Sequence, residues 1–312
     1  MRLRPTSGPA NLPAMSDSTV VWRRLWSETA ERVPRPQARW LCEVASGHDG
    51  DDFLDILDRP PTQRAVAHLD SMLARVDAGE PLQYVLGRWG FRHLDLMVDR
   101  RVLIPRPETA TVVEVALRLA RSMPRPIVCA DLGTGSGAIG LSLATELPLD
   151  GVTVWMSDSS ADALDVARAN AAGIGRAAAN VRAAHGDWFE ALPRELLGGL
   201  AVAVSNPPYV ADDDAELEPI VREWEPEAAL FSGPDGLDAI RHLVDEAFRW
   251  LRPGGWLVIE IGSGHGDRVT ELLRTAGYTD VEIITDLSGH DRVAVGHRPG
   301  ISGEADGDLA EK

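Results

Sequence analysis

Ile127-Val-Cys-Ala-Asp-Leu-Gly-Thr-Gly-Ser-Gly137, followed by Ala138 to Leu147, is the stretch that decides the fold. Ile127 to Asp131 is a short apolar run of β-branched and small residues, the pattern of a buried strand. Gly133, Gly135 and Gly137 let the backbone turn tightly and approach a ligand. Ala138 to Leu147 reads as a helix, with Pro148 just beyond it, and its first N–H groups are free to meet a bound group. The glycine spacing is G-x-G-x-G, which differs from the G-x-G-x-x-G dinucleotide fingerprint. By itself the loop is equally a generic turn between a strand and a helix.

The chain downstream repeats this grammar. Val152 to Ser157 is a second strand, ending at Asp158, where a carboxylate can accept bonds from both hydroxyls of a ribose. Asp158 or Ser160 can equally cap the helix that starts near Ala161. A weaker strand around Asn180 to Ala184 leads to Gly186-Asp187-Trp188, where an acid and an aromatic can bound an adenine ring; a turn plus a core tryptophan is the plainer reading. Leu200 to Val204 is a fourth buried strand, stopped by Asn206-Pro207-Pro208-Tyr209. Two prolines hold that backbone stiff. An amide oxygen and a backbone carbonyl can together accept both hydrogens of a planar NH2 group, and Tyr209 can lie on its flat face. The alternative is a proline-rich loop closing a strand. Each alternative is comfortable singly, but all four elements stand at the ends of successive strands, where open α/β sheets bind ligands.

That order of motifs resembles the S-adenosylmethionine-dependent methyltransferases with a seven-stranded Rossmann-like sheet, and the tetrad resembles those acting on amide or amino nitrogens. Further stretches match one family: Glu80-Pro-Leu-Gln-Tyr-Val-Leu-Gly87, Phe91, Ile104-Pro-Arg-Pro-Glu-Thr109, Glu225-Pro-Glu-Ala-Ala-Leu230, Gly233-Pro-Asp-Gly-Leu237, Pro253-Gly-Gly255, Glu260-Ile-Gly262 and Asp291-Arg-Val293. Over Trp22 to Gly296 the chain resembles the peptide-chain release-factor glutamine methyltransferases, the HemK/PrmC family. The resemblance implies methylation of the glutamine amide in a Gly-Gly-Gln motif of a release factor. It implies that Gly133, Thr134, Gly135, Ser136, Gly137, Asp158, Asp187 and Trp188 bind the methyl donor, with Asn206 touching it as well. Asn206, Pro207, Pro208 and Tyr209 would hold the glutamine. Two positions depart from the family pattern: Ala110 stands where an acid is common, and His265 where a glutamine is common. Neither belongs to the donor loop or the tetrad.

The implied chemistry needs no metal, because a sulfonium already activates the methyl group. The difficulty is the amide nitrogen, whose lone pair is delocalised. Asn206 and the Pro207 carbonyl would orient it and favour its growing charge, and alignment would contribute about 7–11 kcal/mol in favourable cases. Asp213, Asp214 and Glu216 read as a solvated acidic loop, and His265 as an incidental loop histidine. Other readings are methylation of a nucleic-acid base amino group, of another protein or small-molecule amide, and a non-catalytic donor-binding scaffold.

The 312 residues carry a formal charge of −17. That opposes broad nucleic-acid binding, which requires a basic face, and suits a partner with a basic surface. No run of about 18 apolar residues indicates a membrane span. Residues 1–18 lack a secretory core segment and read as a disordered extension, with Met15 as an alternative start. Cys42 and Cys129 read as buried thiols in a reducing compartment, and the chain as cytoplasmic. Helical periodicity without strands fills 19–78: Trp22, Leu25 and Trp26; Ala38, Leu41, Cys42 and Ala45; Ala65, Leu69, Met72 and Leu73. This is a small bundle, read as a substrate-recognition domain, with the tryptophans in its core. Residues 79–106 read as a linker with a β-hairpin over Leu82 to Leu96, Gly87 and Gly90 lying near its turn. Residues 107–298 form the methyltransferase domain. Within it, Trp256 to Ile261 is a buried strand, and Val281 to Thr285 with Arg292 to Gly296 a closing antiparallel pair. Residues 299–312 read as a disordered tail.

Overall fold

A computed structural model describes residues 20–300. The extension read over residues 1–18 and the tail from residue 301 lie outside the described residues. The chain divides into two units, Met1–Ala78 and Gly79–Lys312.

The first unit contains α1 (Trp22–Thr29), α2 (Arg35–Ser46), α3 (Gly50–Asp55) and α4 (Gln63–Asp77). Helix α2 begins on Pro34 and ends on Gly47, which adopts a left-handed φ of 70°, the usual way a glycine stops a helix. The Thr62 hydroxyl accepts the Ala65 N–H and caps α4. The apolar stripes face inward: Ala38, Leu41, Cys42, Leu69, Met72 and Leu73 are buried. Trp22 and Trp26 both set ring edges against Phe53 at 6.1 Å, so these tryptophans belong to the bundle core.

The second unit opens with α5 (Leu82–Leu86), β1 (Arg88–Phe91) and β2 (Leu94–Met97). The expected hairpin over Leu82 to Leu96 is therefore shorter and later in the chain. Pro81 starts a helical turn, Gly87 at φ 71° ends it, and only then does the chain extend. Arg92, at φ 51°, makes the hairpin turn, while Gly90 lies within β1. Phe91 and Leu96 are buried in the core of this unit.

The remaining elements alternate: α6 (Thr109–Arg121), β3 (Ile127–Leu132), α7 (Ala138–Glu146), β4 (Val152–Asp158), α8 (Ala161–Gly173), β5 (Val181–His185), β6 (Leu200–Ser205), α9 (Pro219–Trp224), α10 (Asp238–Trp250), β7 (Leu251–Glu260), α11 (Gly266–Thr275), β8 (Thr279–Thr285) and β9 (Asp291–His297). The seven-stranded sheet has the order β5-β4-β3-β6-β7-β9-β8. Strands β5 to β7 pair in parallel, and β9 runs antiparallel to both of its neighbours.

Strand β6 is buried at every residue, as a strand covered on both faces must be. Its alternation feeds two cores. Val202 and Val204 pack on one face with Val112, Val113, Ala116 and Leu117 of α6; Leu200 and Ala203 pack on the other with Ile240, Leu243 and Val244 of α10. Connections from β3 lead away toward β4 and β5, and those from β6 lead the opposite way, so the order reverses between β3 and β6. A crevice opens at the carboxyl ends of strands at such a reversal. Among the described residues, no helix is long and apolar enough to cross a membrane.

Candidate active site

A cavity of about 220 Å³ sits at this reversal, lined by the glycine loop, Asp158, Trp188, Asn206 and Pro208. It is also lined by Arg101 to Leu103, Pro105, Thr109, Pro226, Ala228 and Ala229, and by residues at the starts of α7 and α8.

The glycine loop is shaped by backbone demands. Gly133, Gly135 and Gly137 have φ of 70°, 54° and 86°, a left-handed conformation that disfavours side chains. A Cβ at Gly133 would lie 3.1 Å from the Trp188 ring, so the indole packs directly on bare backbone. Asp131, at the end of β3, braces the loop: its Oδ2 accepts the Thr134 hydroxyl at 2.5 Å and the Gly140 N–H at 2.8 Å. Burial pushes this carboxyl up to about 6, with those two donors opposing the shift. Gly140 lets α7 press on β4, where a Cβ would meet Met156 at 2.7 Å.

Asp158 lines the cavity from the end of β4. Its Oδ2 accepts the Gly135 N–H and its Oδ1 the Ser160 N–H, each at 2.9 Å. A carboxylate offers about four acceptor positions, so each oxygen keeps capacity toward the cavity. Burial raises its pKa, and the two backbone N–H groups counteract it. The capping role falls to Ser160, whose hydroxyl accepts the Ala163 N–H. Asp158 is therefore not the cap of α8.

Asn206 follows β6 and donates its Nδ2 to Thr109 Oγ1 at 3.4 Å. That leaves Oδ1 as the atom able to accept an amide hydrogen. Pro208 lines the cavity; Pro207 is buried behind it. Tyr209, expected to lie against the amide plane, does not line the cavity. Its hydroxyl donates to Glu260 Oε1 at 3.2 Å and its ring packs against the α10 core. A buried carboxyl needs a donor, and Tyr209 supplies one. Its carbonyl is also pressed by Gly236, at φ 73°, where a Cβ would lie 2.4 Å from that oxygen. Gly137 caps α7 behind the cavity, and Asp187 is exposed and outside the lining.

Two groups absent from the sequence-derived site brace the walls. Arg106 Nη2 meets Glu225 Oε1 at 2.5 Å, and Ile104 donates its N–H to Glu225 Oε2 at 3.3 Å. The Glu225 side chain is only 2% exposed. Burial raises its pKa, opposed by Arg106. This pair ties the Ile-Pro-Arg-Pro strand of chain to the Glu-Pro-Glu-Ala-Ala segment, and both contribute wall residues. The Arg100 guanidinium adds a second tie, lying 3.9 Å over the Trp224 ring. Both segments were visible only as family-like motifs, because ion pairing across 119 residues leaves no local periodicity.

Known proteins resemble this chain over most of its length. Residues 23–87 match the family described as PrmC N-terminal domain, and residues 116–224 that described as Methyltransferase small domain. A release factor glutamine methyltransferase of Xylella fastidiosa (strain 9a5c) is 43% identical over 277 residues, covering 88% of this chain and 98% of the relative. The chain belongs to the release factor glutamine methyltransferase family. A Caulobacter vibrioides member is 38% identical over 291 residues, covering 89% of this chain and 96% of its own. Among solved structures, the hMettl16 catalytic domain in complex with MAT2A 3'UTR hairpin 1 shares the fold, with a TM-score of 0.53 at 13% identity; 92% of this chain and 95% of that one are covered. The α/β Rossmann-like methyltransferase architecture follows from membership as well as from the sheet order.

Proposed function

We propose that this enzyme methylates the side-chain amide nitrogen of a glutamine in a peptide-chain release factor, at a Gly-Gly-Gln motif, using S-adenosylmethionine. Family membership supplies the reaction class. The observation that carries the site assignment is the shared cavity: the donor-type loop with Asp158 and the amide-type Asn206 line one crevice.

The residues present fit the donor. The Trp188 ring and the bare backbone of the glycine loop wall the cavity together, and the acceptor capacity of Asp158 suits two ribose hydroxyls. The donor supplies a methyl group made electrophilic by a positive sulfonium. The chain supplies position and charge. Asn206 Oδ1 and the Pro207 carbonyl accept the two amide hydrogens, which fixes the nitrogen and favours the charge that grows on it. Thr109 holds Asn206 so that Oδ1 rather than Nδ2 is presented. Pro208 walls the acceptor side, and the stiff prolines lower the cost of ordering that wall. The helical unit of residues 19–78 selects the partner protein, since the tetrad reads only an amide. The reaction takes place in the cytoplasm, without a metal and without stable nucleic-acid or membrane binding.

The test is transfer of labelled methyl from S-adenosylmethionine to purified release factors, ribosomal proteins and tRNA offered separately. Label on the glutamine of the release factor is the expected result. Label on tRNA, favouring the base-amino reading, or on another protein would overturn the proposal.

A further inference from the structure

Glu260 ends β7 beside the tetrad and is the buried titratable group there that the amide-binding scheme does not use. It is 1% exposed, and among the described residues its Oε2 has no hydrogen-bond partner. Such a group costs stability unless it is needed. Its surroundings are specific. Tyr209, in the loop after β6, donates its hydroxyl to Oε1. Thr109, at the start of α6, faces the carboxyl and favours its charged form, while Thr109 Oγ1 receives Asn206 Nδ2. Arg292 of β9 attracts the charge from the far side, and Glu108 repels it. Arg292 is itself paired with Asp286 at 3.1 Å. One carboxyl thus stands next to the groups that two tetrad side chains meet: Tyr209 bonds it directly, and Thr109, which favours its charged form, receives Asn206.

We infer that Glu260 is a positioning residue for the acceptor amide, orienting Asn206 and Tyr209 through hydroxyls that it accepts as a carboxylate. This rests on the proposed reading of Asn206 as the amide-binding side chain. As an anion Glu260 only accepts, so the Thr109 hydroxyl hydrogen is drawn toward it and the Thr109 lone pairs remain for Asn206 Nδ2. A protonated Glu260 becomes a donor and competes for those lone pairs. Asn206 is then released to rotate, and Oδ1 no longer faces the cavity by default.

Burial places the ionisation of Glu260 at about 7, with Thr109, Arg292 and Tyr209 opposing the shift. The carboxylate is the competent form, so kcat on a release factor should rise as pH increases through about 7. The test uses full-length protein. In Glu260→Gln, kcat should fall at least tenfold and lose that rise. Its affinity for S-adenosylmethionine by calorimetry should stay within twofold, because the glycine loop and Asp158 are untouched. Thr109→Val should show the same loss of kcat, and Thr109→Ser should restore it. A readout free of substrate is the tyrosine ultraviolet difference spectrum. The chain has three tyrosines, and a step near pH 7 should vanish in both Tyr209→Phe and Glu260→Gln. Glu260→Gln with an unaltered pH profile, or with donor affinity lost in parallel with kcat, would overturn the inference. So would Thr109→Val at full activity, should Glu260→Gln fail to fold. A wild-type enzyme that labels no release factor defeats the functional proposal instead, while the spectroscopic step still decides the role of Glu260.

Discussion

Replacing Arg106 by methionine keeps most of the side-chain volume and deletes only the charge opposite Glu225. The carboxyl left behind is 2% exposed and retains only the long Ile104 N–H bond. Removing one partner of a buried pair costs about 3–5 kcal/mol. Arg106 itself is 32% exposed, so water can reach the vacated position and the lower end, about 3 kcal/mol, is expected. For a domain of this size that corresponds to a fall in Tm of roughly 6–12 °C. Thermal unfolding followed by circular dichroism measures it. The companion variant is Arg106→Met combined with Glu225→Gln. A glutamine stays neutral and can still accept the Ile104 N–H, so the double variant should recover most of the loss, to within about 1 kcal/mol of wild type. The expected functional consequence is selective. Pro105 and Pro226 wall the cavity but not the glycine loop, so KM for the protein substrate should rise more than the dissociation constant of the donor. An Arg106→Met protein within about 1 kcal/mol of wild type, or a double variant no more stable than the single one, would refute the claim that this pair holds the wall.

Asp158→Ala should weaken S-adenosylmethionine and its demethylated product alike, by roughly 10–100-fold for loss of charge-assisted bonds of about 1.5–3 kcal/mol; undiminished affinity in calorimetry would remove Asp158 from the donor site. Asn206→Ala should lower kcat by about 10²–10³-fold, the usual effect of deleting one preorganised polar contact, with most of the donor affinity kept; near-normal turnover would exclude the amide-binding scheme. A protein beginning at Gly79, the first residue of the second unit, should bind the donor yet lose methylation of an intact release factor far more than of a short Gly-Gly-Gln peptide. Equal rates on the intact factor for the truncated and full-length proteins would exclude recognition by the helices.

The sheet was legible because its central strands are buried on both faces and need unbroken apolar runs: Ile127 to Leu132 and Leu200 to Ser205 stand out from any surface segment. The glycine loop was legible because three positive φ angles demand glycine. Leu82 to Leu86 was misread as strand because five residues are too few to separate a period of 2 from one of 3.6, and the decision fell to Pro81 and Gly87 at its ends. Tyr209 was placed against the substrate because aromatic residues beside an amide suggest stacking. The partner of its hydroxyl, Glu260, lies 51 residues away and left no local signal at Tyr209. A carboxylate closing the apolar run Trp256 to Ile259 was the available signal for Glu260, since a charge at a strand's carboxyl end in an open sheet points to the crevice. Thr109 and Arg106 gave less: each gains meaning only from a partner brought near by the fold.

The placement of β9 bears on how the molecule is made. Among the described residues this strand is the last in chain order, yet it lies inside the sheet, between β7 and β8. Until residues 291–297 emerge from the ribosome, β7 is an edge strand: Val258 and Ile259 have backbone groups with no partner on that side. An exposed apolar edge invites pairing with another chain. Arg292, which attracts the Glu260 charge, arrives with the same strand. Completion of the sheet and the arrival of the charge beside Glu260 are thus one late event, and a nascent chain without β9 would be prone to association.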